Sequence, residues 1–302
     1  MIGGTNLAIL YALLAAASWG AADFLGGLHS RRGQPLTVAL AATAAGLVLL
    51  APVMVVAGGS PTAADLWWGA AAGVGVGAGV ALLYRGLAIG RMALVAPVTA
   101  IGAALLPVVF GLATGERPGL LVGSGALLAL VAVALVSREH EPQPIVVGEI
   151  ASDGSPPPPP VARVTRFEPG LVEAAAGGVG FGAFFILLAR VGPDAGLWPL
   201  VPTRAASVVL LFVIAAASRV DVRPPRRLWW PVLAIGVLDT VASALYLLAS
   251  RIGLLSLVAV LGSLYPAGTV LLALVVLKEK VTRWQAAGMV LAIGAVGLIA
   301  AG

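Results

Sequence analysis

Ten apolar stretches, each about long enough to cross the hydrocarbon of a bilayer, limit what this chain can fold into. They lie near residues 7–28, 35–58, 66–87, 92–114, 119–137, 170–190, 198–218, 229–250, 254–277 and 284–301. Crossing about 30 Å of hydrocarbon takes roughly 20 residues of α-helix at 1.5 Å each. Backbone groups surrounded by lipid must be satisfied internally, which restricts spanning structures to helices and closed barrels. A barrel strand is about half this length and alternates in polarity, whereas these stretches are apolar on every face. The sequence therefore predicts an all-α polytopic membrane protein with ten transmembrane helices. The first stretch is predicted to stay as a structural helix and not to be a secretory signal. No basic segment precedes it, and it contains Trp19 and Asp23.

Polar residues are too few for a water-soluble alternative. Hydrophobic residues make up 60% of the chain and charged residues 10%, against about 25% charged in a soluble domain. That balance excludes an ordinary soluble enzyme and a disordered chain. Cysteine is absent, and His29 and His140 are the only histidines. Disulfides, thiolate chemistry, iron–sulfur clusters and the usual zinc sites are thereby excluded. The net charge of +5 comes from basic residues scattered between apolar stretches, so no nucleic-acid partner is predicted. The run Gly73-Val74-Gly75-Val76-Gly77 lacks the lysine and strand context of a phosphate-binding loop. Gly69, Gly73 and Gly77, like Gly178 and Gly182, are instead spaced for close helix packing. No cofactor and no metal are expected.

The chain also repeats itself. Trp67-Trp68 recurs as Trp229-Trp230 and Tyr84 as Tyr246, at an offset of 162. One inserted residue later, Leu94-Val95-Ala96 falls on Leu257-Val258-Ala259 and Glu116 on Glu279. Tryptophan pairs in register are too rare in so biased a composition to be accidental. The organisation read from this is a five-helix repeat over 1–137, a polar linker over 138–168 and a second five-helix repeat over 169–302. The linker includes Pro156 to Pro160, a run that favours an extended polyproline tether. An odd number of spans per repeat makes the second copy enter the membrane from the opposite side. Inverted repeats of this kind are common in secondary transporters, with substrate sites near the midplane.

Short cytoplasmic loops collect Lys and Arg. Fourteen of the basic residues fall on one side (Arg31, Arg32, Arg85, Arg91, Arg138, Arg163, Arg166, Arg219, Arg223, Arg226, Arg227, Lys278, Lys280 and Arg283) and three on the other (Arg117, Arg190 and Arg251). The count places the linker in the cytoplasm and both termini outside.

Several motifs resemble one family. An aromatic-Gly pair opens each repeat (Trp19-Gly20 and Phe181-Gly182), and an acidic residue closes spans four and nine. Tyr84-Arg85-Gly86-Leu87-Ala88, Gly115-Glu116-Arg117-Pro118 and Leu277-Lys278-Glu279-Lys280-Val281 are similar to signatures of the EamA-type transporters in the drug/metabolite transporter superfamily. The resemblance covers the chain outside the linker. It implies a secondary exporter of small metabolites, amino acids or drug-like compounds, multi-pass in a bacterial-type cytoplasmic membrane, with a pathway between the repeats. It also implies termini in the cytosol, against the charge count, so the orientation stays open. Members often carry a basic residue early in the second span of each repeat. Arg204 fits that place in span seven, but its counterpart in span two falls at Ala41 or Ala42.

An ionisable side chain inside a span costs at least about 2.5 kcal/mol to insert and is a functional candidate for that reason. Asp23, Arg204 and Asp239 qualify. Asp239, Ser243, Tyr246 and Ser250 share one face of span eight. Asp239 either lines the pathway and binds a proton or a substrate amine, or pairs with Arg204 to fix helix packing. Asp23 shares a face with Trp19, one turn earlier, and is either a second acid at the pathway or, in the last third of span one, a residue near the interface. Tyr84, the repeat mate of Tyr246, and Tyr265 complete the pathway candidates. Pro97 and Pro266 are hinge candidates, since proline frees a backbone carbonyl and permits a kink. Glu116 and Glu279 are expected to bind loop or helix-terminal backbone. Without a nucleotide motif, transport is driven by a gradient, with protons as a candidate coupling ion, or is facilitated. A flippase for a lipid-linked headgroup is the alternative within transport. An intramembrane enzyme is disfavoured for want of Cys, embedded His or paired ligand acids.

Overall fold

The computed structural model describes residues 2–30, 34–89, 92–136, 170–278 and 282–301. The proline-rich linker 138–168 and Glu279 lie outside the described residues. The first repeat comprises α1 (Ile2–Ser30), α2 (Pro35–Ala57), α3 (Ala63–Ile89), α4 (Met92–Ala113) and α5 (Leu120–Val136). The second comprises α6 (Leu171–Ala189), α7 (Leu200–Ala217), α8 (Trp229–Ile252), α9 (Leu255–Gly262), α10 (Tyr265–Leu277) and α11 (Arg283–Ala301). No strand occurs among the described residues. Seven helical stretches are long and apolar enough to cross a membrane; Val98–Ala113, Leu120–Leu135 and Arg283–Ile299 are shorter apolar helices.

Local sequence sets the helix ends. Thr62 and Asp65 form a reciprocal cap at the start of α3, with the Thr62 N–H on Asp65 Oδ2 at 2.8 Å and the Asp65 N–H on Thr62 Oγ1 at 3.2 Å. Thr282 and Gln285 do the same at the start of α11. At the end of α4, Gly115 takes φ +100°, and the Glu116 and Gly115 N–H groups return to the Gly111 and Leu112 carbonyls. Its repeat mate Lys278 takes the same left-handed conformation, φ 54°, at the end of α10. Span nine is discontinuous. Pro266 has no N–H to offer the Gly262 carbonyl, and the chain turns at Ser263-Leu264 between α9 and α10. Residue 103, the mate of Pro266 at the later offset, is alanine, and α4 runs unbroken.

The repeats pack mainly on each other, and reciprocally. α1 packs on α8 as α3 packs on α6; α2 packs on α8 as α7 packs on α3; α1 packs on α10 as α4 packs on α6; α5 packs on α11. Equivalent helices run in opposite directions. The loop before α3 meets the loop before α7, where Ser60 donates to the Asp194 carbonyl at 2.8 Å. Arg251, at the end of α8, donates to Gly196 of the same α6–α7 loop at 2.7 Å. So α3 starts at the end of the molecule where its mate α8 finishes. The two tryptophan pairs, all four side chains exposed, therefore mark opposite ends, as interfacial aromatics do.

The glycine stripe of α3 lies against α7. A Cβ on Gly73 would sit 2.1 Å from the Thr203 carbonyl oxygen, and one on Gly69 2.3 Å from that of Pro199. Thr203 Oγ1 in turn donates to the Gly69 carbonyl at 2.8 Å. This close approach fixes the first turns of α7 and with them Arg204.

Candidate functional site

Four predicted residues converge where α1, α7 and α8 meet. Arg204, one turn into α7, is buried, with 5% of its side chain exposed, and it forms an ion pair from Nη1 to Asp239 Oδ2. Its Nη2 donates to Ser243 Oγ at 3.0 Å. Ser243 donates back to the Asp239 carbonyl at 2.9 Å, so one turn of α8 presents both acceptors to the guanidinium. The other carboxylate oxygen of Asp239 accepts the Trp19 indole N–H at 3.0 Å. Asp239 keeps 29% of its side chain exposed. The ion pair offered as the structural reading of Asp239 is thus present, and the Asp239 side chain is not fully enclosed.

Glycine on α2 makes room behind the pair. A Cβ on Gly46 would lie 2.7 Å from Thr240 Oγ1 and 3.8 Å from Arg204 Nε. Thr240 Oγ1 is buried without a hydrogen-bond partner among the described residues.

An aromatic cluster adjoins the polar group. Phe185 and Tyr246 stack with centroids 4.6 Å apart. Trp19 lies 5.6 Å from Phe185, 5.9 Å from Tyr246 and 6.2 Å from Phe184. Tyr246 is fully buried and donates to the Phe185 carbonyl at 3.3 Å. Ser250, predicted on the same stripe, turns to its own backbone at Leu247 and stays out of the group.

Asp23 stands one turn beyond Trp19 on α1, exposed, within electrostatic range of Asp239 and Tyr265. α1 and α10 close over glycine here, for a Cβ on Gly20 would lie 2.6 Å from the Tyr265 carbonyl oxygen, and Thr269 Oγ1 donates to the Gly20 carbonyl at 3.1 Å. Asp23 therefore lies on the side of α1 toward α8 and α10. Pro266 sits at the α9–α10 break beside Tyr265. Tyr84 stands on α3 and Pro97 on α4, with side chains outside the described ones.

Sequence reasoning did not single out the ties that close the opposite end. Asp65 Oδ1 accepts the Gly192 N–H of the other repeat at 2.8 Å, while Arg251 holds the Gly192 and Gly196 carbonyls at 3.2 and 2.7 Å. A Cβ on Gly59 would lie 3.0 Å from the Ala195 backbone, so the two loops touch main chain to main chain. Glu116 binds helix-terminal backbone as expected, but across the repeats: it accepts the Leu255 and Ser256 N–H groups at the start of α9, at 2.7 and 3.0 Å. Asp65 caps α3 together with Thr62. Its second role depends on a loop more than a hundred residues away, which no local pattern encodes.

The sequence profile of a family described as "EamA-like transporter family" matches residues 6–138 and again 169–301. A search of curated proteins returns no match. Among solved structures, one titled only "Crystal structure of protein" is 20% identical, covers 96% of this chain and 95% of its own, and superposes with a TM-score of 0.71. At that identity the likeness speaks for the fold.

Proposed function

The chain belongs to the EamA-like transporter family, and from that premise we propose that it exports small metabolites or drug-like compounds without hydrolysing nucleotide. All ten apolar stretches cross the bilayer, and the two repeats alternate access to a site around Trp19, Arg204, Asp239 and Ser243. The supporting observation is a contrast between the two ends of the bundle. One end is tied between repeats through the Asp65–Gly192 and Glu116–Leu255 hydrogen bonds. Toward the other, Asp23 is exposed and Asp239 keeps 29% of its side chain exposed. That accessible end carries Arg85 and Arg219, the basic side of the molecule, which a cytoplasmic entrance for an exporter requires. The break at Pro266 supplies a joint next to the site, a common feature of discontinuous transporter helices.

The test is counterflow in proteoliposomes containing the purified chain and no ATP, against a panel of labelled amino acids, amines and nucleosides. Flux of at least one class above empty liposomes, slowed by Asp239→Asn in a variant that still purifies folded, is the expected result. No flux across the whole panel refutes the reading.

A further inference from the structure

Resting on the transport reading, we propose that the substrate carries a single positive charge and that Asp23 holds it beside the Trp19 indole. Among the described residues, three charged side chains meet at this level: Asp23 on α1, Arg204 on α7 and Asp239 on α8. The last two satisfy each other. Both carboxylate oxygens of Asp239 are engaged, one by Arg204 and one by Trp19, and the second guanidinium amine of Arg204 is engaged by Ser243. Arg204 is consequently not free to receive an anion unless a buried pair is first broken, which is costly in itself.

Asp23 differs. Among the described residues it has no hydrogen bond and no ion pair, and its side chain is exposed. Its electrostatic neighbours are Asp239, already neutralised, and the phenol Tyr265. When Asp23 is ionised it is, among the described residues, the charge at this level without a partner, an arrangement that marks a ligand or ion pathway. A monocation brings that group to neutrality; a zwitterion leaves the charge in place, and an anion doubles it. The wall next to Asp23 suits the same ligand. Trp19, one turn away, leads into Phe184, Phe185 and Tyr246, and aromatic faces attract cationic nitrogen. Asp23 thus supplies charge and the rings supply shape, while Asp239 positions Trp19.

The experiment titrates the purified full-length chain with benzylamine, benzyltrimethylammonium, benzyl alcohol and benzoate, reading the unfolding temperature, and assays the same four for flux in proteoliposomes. Both cations raise the unfolding temperature and are carried, while the alcohol and the anion are not. Asp23→Asn weakens cation affinity by about tenfold or more, the loss of one charge-assisted contact, and leaves the unliganded protein as stable as before; Asp23→Glu restores binding. Equal binding of benzyl alcohol or benzoate, or cation binding unchanged in Asp23→Asn, overturns the proposal. Proton-driven flux of an uncharged compound, lost in Asp23→Asn and without cation binding, assigns the positive charge to a proton and also overturns it, with transport left standing. If neither cation binds, the proposal fails, and transport is judged by the wider panel above.

Discussion

Trp19 and Asp239 are joined by a 3.0 Å hydrogen bond from the indole Nε1 to Oδ1, across 220 residues of chain. The bond ties the first helix of one repeat to the third helix of the other, and it leaves the second oxygen of Asp239 to Arg204. Each partner thereby constrains the other two, so the group is best tested by removing members singly and together.

Arg204→Met leaves the Asp239 carboxylate without its counter-ion inside the bundle. Breaking a buried pair from one side costs about 3–5 kcal/mol, and the low end applies because Asp239 keeps 29% of its side chain exposed. The double variant Arg204→Met, Asp239→Leu recovers most of that loss. Denaturant titration in detergent of the two single variants and the double one checks this; a double variant as unstable as the sum of the singles would show that the pair contributes no coupling.

The architecture was legible because membrane helices advertise themselves by length and uniform apolarity, and because Trp67-Trp68 and Trp229-Trp230 stand in register. The site was legible in part, since any charge inside a span is conspicuous. At the early offset, Asp239 corresponds to Gly77 and Asp23 to Phe185, while Arg204 corresponds to Ala42. The second, apolar copy of each position made the three charges stand out. What the sequence could not supply was which charges meet. Asp23 and Asp239 lie in different spans, and spacing along the chain does not rank them as partners for Arg204; the folded arrangement brings Asp239 there. The same limit hid the Asp65–Gly192 tie, which joins a helix cap to a distant loop.

Asp65→Ala removes the acceptor for the Gly192 N–H and one half of the α3 cap. Loss of the cap costs about 1 kcal/mol, and loss of the inter-repeat tie loosens the closed end. The chain has no native cysteine, so a single Ala195→Cys reports directly on that end, where Ala195 is 1% exposed. A membrane-impermeant maleimide labels it slowly in the parent and several-fold faster with Asp65→Ala. Identical labelling rates in the two backgrounds would show that this tie does not hold the end closed.

Gly73→Ala places a methyl group where the Thr203 carbonyl oxygen already sits, at 2.1 Å. Backbone cannot yield as a flexible side chain can, so α3 and α7 are pushed apart, at a cost of about 1–3 kcal/mol. Because α7 carries Arg204, the displacement also weakens the Arg204–Asp239 pair. Gly26→Ala is the control, with open space around its Cβ. Thermal unfolding of the two variants is expected to separate them clearly, with Gly26→Ala close to the parent.

Glu116 holds the first two N–H groups of α9, those of Leu255 and Ser256, at 2.7 and 3.0 Å. Those groups have no partner within their own helix, and the carboxylate also meets the positive end of the helix dipole. The Gly115 turn folds the Glu116 backbone back onto Gly111, where a Cβ would collide with the carboxylate at 2.3 Å, so α4 delivers the side chain to the other repeat. Glu116→Gln keeps one acceptor and loses the charge, costing about 1 kcal/mol, whereas Glu116→Ala removes both acceptors and costs up to about 2 kcal/mol. Hydrogen exchange locates the effect. The Leu255 and Ser256 amides lose protection in Glu116→Ala while amides in the middle of α8 keep theirs. Unchanged protection at both would mean that another group caps α9.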